Sequence, residues 1–381
     1  MSGSDTALPP GIGLRRATRD DNAAILAFVS KHVMRAGVAV RFDRSPDYFA
    51  LHAAHSPQHE TWLLLEGGRI LGVGSLVLRP GYVGGRPETI AYFAELRVTP
   101  RRKIAGLWRR LLCERIAALH SRSRVRYGYC CIMRGNRLAR ASVLRARAED
   151  ELTFLRLRGY SNVSLLARKP WAGSANARVS IRRATAADSE ALRSFVDSHA
   201  QQQHFGVVFD RETWRHRLEN WPNFGIENFY LAYSASQKLV GCLAPWDSSP
   251  INRIIIGPLP ARLSLARVAY NVLTPLSGKP AIAAGDGSRL PDVALTHVCV
   301  AGRDPEVFAA LLDTAYGEIT STGRYATMSL CLYDGDPLAA AVQRYWHVAV
   351  PMDLYWLKLD RAAEALHLDA ERLPGFEIYL V

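Results

Sequence analysis

The stretch ELRVTPRRKIAGLWRRLL, residues 95–112, holds the grouping with the most chemical potential. A strand-like start passes into an amphipathic helix, and Arg101, Arg102, Lys103 and Gly106 sit where one becomes the other. A helix N-terminus carries unpaired N–H groups and a partial positive charge, so it attracts anions. Glycine lets a backbone approach a phosphate closely. The same residues would also serve as an ordinary basic turn before a helix. The six cysteines show no CxxC spacing and no metal-like pairing with histidine, so no metal is expected. The adjacent Cys130 and Cys131 suit a buried strand better than a nucleophile, and a reducing, cytoplasmic setting fits.

Such residues need a scaffold that holds a strand end against a helix start. Periodicity predicts a strand over 13–17, an Asp-capped helix over 21–32 and a helical segment over 45–55. Residues 61–80, TWLLLEGGRILGVGSLVLRP, read as two strands around a Gly-Gly hairpin, and 89–99 as a third strand. A long helix follows, with Leu107, Leu111, Leu112, Ile116 and Leu119 on one face. A buried-looking strand (124–133), a helix (136–148) and a closing strand (159–168) complete the unit. Mixed antiparallel and βαβ signals in about 150 residues imply a layered α/β domain.

The unit occurs twice. LRRATRDDNAAILAFVSKHVMRAGVAVRFDR (14–44) matches IRRATAADSEALRSFVDSHAQQQHFGVVFDR (181–211) at a constant offset of 167. Further on the offset is 200: Val98 meets Val298, Leu111-Leu112 meets Leu311-Leu312, Cys131 meets Cys331, and GNRLA (135–139) meets GDPLA (335–339). The 33-residue difference implies an insertion at about 221–291, with an extra helix bounded by prolines. The chain of 381 residues therefore divides into a tail (1–12), a first domain (13–170), a short linker (171–179) and a second domain (180–381).

Each half resembles the GNAT (GCN5-related N-acetyltransferase) superfamily. The opening LRRAT strand and helix, the strand ending in V-x-P before the basic glycine turn, and the following N-x-x-A carry the resemblance. It implies an α/β fold of two tandem GNAT-like acyl-CoA N-acyltransferase domains, each a mixed, mostly antiparallel sheet flanked by helices. It also implies that the anion is the pyrophosphate of acetyl-CoA or another acyl-CoA. Lys103, Ala105, Gly106, Leu107 and Trp108 would cradle it, with Trp108 where the family has a small residue. Arg101 and Arg102 would reach the ribose phosphate, and backbone groups of Leu96 and Val98 the pantetheine or the carbonyl. Asn136 would bond the pantetheine arm, although an N-cap role suits it equally. In the second copy the loop reads RDPEVF (303–308): Glu306 replaces Gly106, Pro305 removes an N–H, and Asp336 replaces Asn136. That copy is expected to have lost its cofactor site. His32, His199 and the Phe-Asp-Arg runs persist in both copies, which favours a structural role for them.

Acyl transfer to an amine needs a base and an oxyanion partner. Glu95 is the candidate base, since a buried carboxylate can have a raised pKa; pairing with Arg97 is the alternative. The tyrosine that the resemblance implies as acid is Val143 here, leaving Tyr127, Tyr129, Tyr160 and Cys130 as unranked substitutes. The net charge of +13 is lopsided: residues 1–170 hold 29 Lys+Arg against 13 Asp+Glu, and 171–381 hold 19 against 22. The basic half could dock an acidic acyl-carrier protein as donor. No recognition helix or aromatic-basic strand accompanies the charge, so nucleic acid is not expected. No apolar run is long enough to span a membrane. The expected function is N-acyl transfer from coenzyme A to a primary amine of an amino acid, peptide, protein or small metabolite. The alternative is a non-catalytic acyl-CoA sensor or scaffold.

Overall fold

The computed structural model describes residues 8–35, 39–123, 125–143, 154–175, 178–283, 285, 287–359, 369 and 372–380. Most of the expected tail's first residues (1–7), part of the linker (176–177) and the end of the helix expected over 136–148 lie outside them.

The first half runs β1 (Ile12–Arg16), α1 (Asn22–Val29), β2 (Met34–Arg35), β3 (Ala39–Asp43), α2 (Ala50–His55), β4 (His59–Glu66), β5 (Arg69–Val83), β6 (Arg86–Val98), α3 (Arg102–Ser123), β7 (Tyr127–Met133), α4 (Arg137–Val143) and β8 (Phe154–Arg168). The second runs β9 (Val179–Arg183), α5 (Ser189–Gln201), α6 (Arg211–Asn220), β10 (Tyr230–Ser234), β11 (Leu239–Trp246), β12 (Arg253–Ile256), α7 (Ala261–Ser277), β13 (Ser288–Arg289), β14 (Asp292–Val300), α8 (Pro305–Ser321), β15 (Thr327–Tyr333), α9 (Ala339–Val342) and β16 (Tyr345–Lys358). The repeat reaches to single ion pairs. Arg15–Asp21 and Arg182–Asp188 both close at 2.7 Å, and His32 and His199 each meet the carbonyl four residues earlier at 2.9 Å. The two histidines are therefore structural.

Twelve strands form one sheet in the order β1-β4-β5-β6-β7-β16-β8-β15-β14-β11-β10-β9. The closing strands are exchanged. β8 of the first half pairs with β15, β16 of the second pairs with β7, and the two pair antiparallel with each other. The core at this seam mixes both halves: Tyr92, Tyr129, Tyr160, Phe205 and Phe376 belong to one cluster.

Each half also opens a gap. β6 and β7 are parallel partners only over Ile90–Tyr92, and β14 and β15 only over Asp292–Ala294. Beyond those points the strands diverge. In both, a residue with positive φ bulges the strand: Glu95 (φ 55) and His297 (φ 50). The β5–β6 register shifts between Val73 and Ser75, and the β11–β14 register between Cys242 and Ala244. Val98 pairs with Gly72 and Val300 with Gly241, so the strand match is Val98 with Val300. The offset of 200 holds again at β7 and β15, because the stretch from β14 to β15, helix included, is two residues shorter than that from β6 to β7.

The insertion lies between β11 and β14. Its β12 pairs with β3 and β13, and β3 pairs with β2, making a second, four-stranded sheet shared by the halves. Arg253 and Asp43 reinforce the join with an ion pair at 3.0 Å. The expected proline-bounded helix is α7, which Pro260 precedes and Gly278 ends in the left-handed conformation.

Candidate active site

A cavity of about 300 Å³ begins in the β6–β7 gap and continues across the seam. Leu96, Val98, Ala105, Trp108 and Asn136 lie on its wall, as do Asp292, Ser329 and Tyr379. Met34, Val40, Phe42 and Ile254 of the small sheet also line it. Its lining is mainly apolar, so it suits a hydrocarbon chain better than a hydrated ion.

The basic junction differs from its expected form in one respect. Helix α3 starts at Arg102, so Lys103 and Gly106 lie in its first turns rather than in a loop. That start contains no acidic residue. Arg101, Arg102 and Lys103 are exposed, with Arg101 3.5 Å from Glu66. A Cβ at Gly106 would meet no atom within 4 Å, so the packing of this chain does not require glycine there. Leu107 points into the core beside Leu64, Leu71 and Leu111, which leaves only its backbone for a ligand. Trp108 is buried on Gly72 and Gly74, where an added Cβ would come within about 3.1 Å and 3.0 Å of the indole. The two glycines make the slot that accommodates a large residue at a small-residue position. Asn136 does cap α4, accepting from the Ala139 N–H at 3.1 Å, while also lining the cavity.

The corresponding place in the second half is closed by its own side chains. Asp304 accepts from the N–H groups of Glu306 and Val307 at 2.8 and 3.4 Å, occupying the start of α8. Arg303 donates to Asp336 at 3.0 Å, tying the loop to the Asn136-equivalent position. The α8 start has no open anion site of the α3 kind.

Glu95 requires a correction. Its carboxylate meets buried Arg44 at 2.5 Å and Arg97 at 2.7 Å. Burial works against its charge, but the two guanidinium groups prevail and hold its pKa down to about 2. The raised pKa expected of it is not found. Arg44, read in the sequence as part of a structural Phe-Asp-Arg run, is thus a buried member of the site. Its counterpart Arg211 is exposed near Glu190. In the second half the bulge residue His297 is held by Arg217 at 3.2 Å, which also grips Glu377.

The carboxylate in the opposite condition is Asp292, which sequence reasoning missed. It accepts hydrogen bonds from Thr327 Oγ1 at 2.5 Å and Ser329 Oγ at 2.6 Å. Its accessible surface faces an interior cavity, so burial dominates and pushes its pKa up to about 7 against those bonds. The signal was present as an acid at the head of a strand of apolar residues, but only the exchanged strands carry it to the first half's cavity. Among the tyrosines, Tyr92 and Tyr379 line the cavity, whereas Tyr127, Tyr129 and Tyr160 do not. Burial keeps the Tyr92 hydroxyl protonated, and it lies 3.8 Å from Cys131 Sγ. Burial likewise raises the Cys130 and Cys131 thiols, against a nucleophilic role.

No protein-family model matches the chain, and no curated protein matches it in sequence. Solved structures do match in shape. A GCN5-related N-acetyltransferase from Sphaerobacter thermophilus superposes with a TM-score of 0.57 at 14% identity, over 94% of this chain and 99% of that one. Saccharomyces cerevisiae N-myristoyltransferase with bound myristoyl-CoA gives 0.59 at 11% identity, over 94% and 86%. The fold is the GNAT fold, present twice. Within it, Leu96, Val98, Ala105, Trp108 and Asn136 line the β6–β7 gap, and the equivalent helix start in the second half is held by Asp304 and Arg303. No group of three or more metal-binding side chains occurs among the described residues.

Proposed function

We propose that the chain is an acyl-CoA-dependent N-acyltransferase with one working site, in the N-terminal half. The observation that carries this reading is one cavity lined both by Ala105, in the first turn of the acid-free α3 start, and by the Asp292 carboxylate. The GNAT fold supports the same reading. Pyrophosphate would meet the Lys103 side chain and the free N–H groups of Arg102 to Ile104 at the α3 start, next to Gly106, with the Arg101 and Arg102 side chains on the ribose phosphate. The acyl arm would lie in the gap against Leu96, Val98 and Asn136. The apolar volume beyond favours an acyl group longer than acetyl.

In the proposed step the neutral amine attacks the thioester carbonyl, the N–C bond forms, and the C–S bond breaks. Asp292 takes the amine proton and, once protonated, returns it to the leaving thiolate, while the Tyr92 hydroxyl donates a hydrogen bond to the sulfur. Glu95 is a positioning residue: ion-paired to Arg44 and Arg97, it holds the bulge that opens the gap. The acceptor is a primary amine of a small molecule, peptide or protein. The six cysteines, all free, are in keeping with a cytoplasmic setting.

Free-thiol release across a panel of acyl-CoA lengths and amines tests the reading, with an acyl-carrier thioester as a further donor. Turnover requiring both donor and amine is expected. Tight coenzyme A binding without thiol release for any amine would replace the enzyme with an acyl-CoA sensor.

A further inference from the structure

Helix α7 is amphipathic with its faces reversed. Leu265, Val268, Val272 and Leu273 follow i, i+3, i+7, i+8 spacing and so share one face. They are 71, 51, 70 and 58% exposed. Ala266 and Ala269 extend the same exposed surface. The polar residues point inward. Asn271 exchanges two hydrogen bonds with the Ile282 backbone, both at 2.9 Å, and Tyr270 donates to the Ala326 carbonyl at 3.1 Å. Arg267 and Thr274 also bond to nearby carbonyls. A helix that fastens itself by its polar side and offers its apolar side outward is built to meet an apolar medium.

The charge around it indicates which one. Residues 253–289 contain five Lys+Arg and one Asp+Glu, while the whole of 171–381 holds 19 against 22. This stretch of the insertion is therefore basic at net +4, with Arg253 set against Asp43 of the first half, and the remainder of the second half is net −7. Helix α7 has no acidic residue, and Arg262 in its first turn and Arg289 in β13 are exposed. A second copy of the chain is a poorer fit. Seventeen residues make a face about 25 Å long, at 1.5 Å per residue, and one such stripe falls short of the ~800 Å² per partner of a stable interface. A bilayer requires no matched surface, only apolar insertion and anionic headgroups.

We propose that the outward face of α7 docks on an anionic lipid bilayer. The location gives the docking a purpose. β12 and β13, the strands on either side of α7, belong to the small sheet whose Val40, Phe42 and Ile254 line the cavity. Seating α7 on a membrane brings that wall to the bilayer surface, where long-chain acyl groups reside. The docking itself does not depend on the acyltransferase reading.

The test is co-sedimentation of the full chain with vesicles of phosphatidylcholine alone and of phosphatidylcholine mixed with phosphatidylglycerol. Binding to the mixed vesicles is expected, weakened by salt. The L265E/V272E variant should lose at least about tenfold in affinity by removing the apolar contact, and Arg262→Glu should lose less. All three positions are exposed, so melting temperature and thiol release with soluble substrates should be unchanged. Absence of vesicle binding, equal binding to both vesicle types, or full binding by L265E/V272E would each overturn the proposal. Sedimentation velocity adds one more overturning outcome: a dimer abolished by the same variant, without vesicle binding, would give the face to a second copy.

Discussion

Glu95 and Asp292 face one cavity from opposite electrostatic settings, and their variants should separate cleanly. Glu95→Gln leaves Arg44 and Arg97 buried without their counter-ion, a loss on the order of 3–5 kcal/mol of stability. The folded pKa of about 2 lies below the ordinary carboxylate value. That stability is therefore present at neutral pH and lost as pH falls towards 2, so the melting-temperature gap from wild type should close in acid. Rate per folded enzyme should fall less than about tenfold; a positioned base is usually worth about 10²–10⁴. Asp292→Asn should show that larger loss, and the acid limb of kcat/KM near pH 7 should vanish with it. Its stability effect has the opposite sign. Between the ordinary carboxylate pKa and about 7 the unfolded chain gives up this proton more readily than the folded one. Stability thus falls as pH rises through that window, and the Asn variant should melt higher than wild type at pH 8 but not at pH 4. A Glu95→Gln enzyme with normal melting and a thousandfold slower rate would return the base role to Glu95. Sequence showed both carboxylates but neither setting, because Arg44 lies 51 positions before Glu95, and Thr327 and Ser329 lie more than 30 after Asp292.

At the level of elements, the contrast between α3 and α8 predicts one coenzyme A per chain. Gly106→Glu is an unusually clean probe. The site has room for a side chain, and glycine costs a helix about 0.5–1 kcal/mol relative to better formers, so folding should not suffer. The new carboxylate would face the incoming pyrophosphate at the helix start. Calorimetric titration should find one site in wild type and none in the variant, with an unchanged or raised melting temperature. Two equivalent sites in wild type, or unaltered affinity in the variant, would show the helix start is not where the anion binds. This part of the site was legible in the sequence, because basic residues, glycine and caps act within a few positions of one another. Helical periodicity gave α1 and α3, the repeat carried α1 over to α5, bounding prolines gave α7, and the Gly-Gly turn gave the hairpin strands. The six-residue α2 was overextended to 45–55, since DRSPDYF carries no apolar repeat to mark where coil ends.

For the molecule as a whole, the long repeat reads as two self-contained domains, and the exchanged closing strands are the feature that the repeat conceals. β8 and β16 descend from equivalent positions, so either could satisfy β7 or β15 by its own pattern of apolar residues. Register across 200 positions leaves no local mark. Among the described residues β8 finds partners only in β15 and β16, and β7 meets β16 through seven residue pairs from Met352–Met133 to Lys358–Tyr127. A chain cut in the linker would strand β8 without a partner in the first fragment and leave β7 with an open edge beside buried Tyr129 and Cys130. The seam cluster would also split, since Phe205 and Phe376 come from the second half. The intact chain should therefore unfold in a single transition, with far-UV and near-UV signals coincident. Residues 1–170 alone should be molten or aggregated and bind no coenzyme A, and co-expression with residues 171–381 should yield a one-to-one complex that regains binding. Two well-separated unfolding transitions, or a stable monomeric 1–170 fragment with native coenzyme A affinity, would mean that β8 can fold back onto β7 in place of β16. The strand exchange would then be an ornament of the fold rather than what holds the two halves as one molecule.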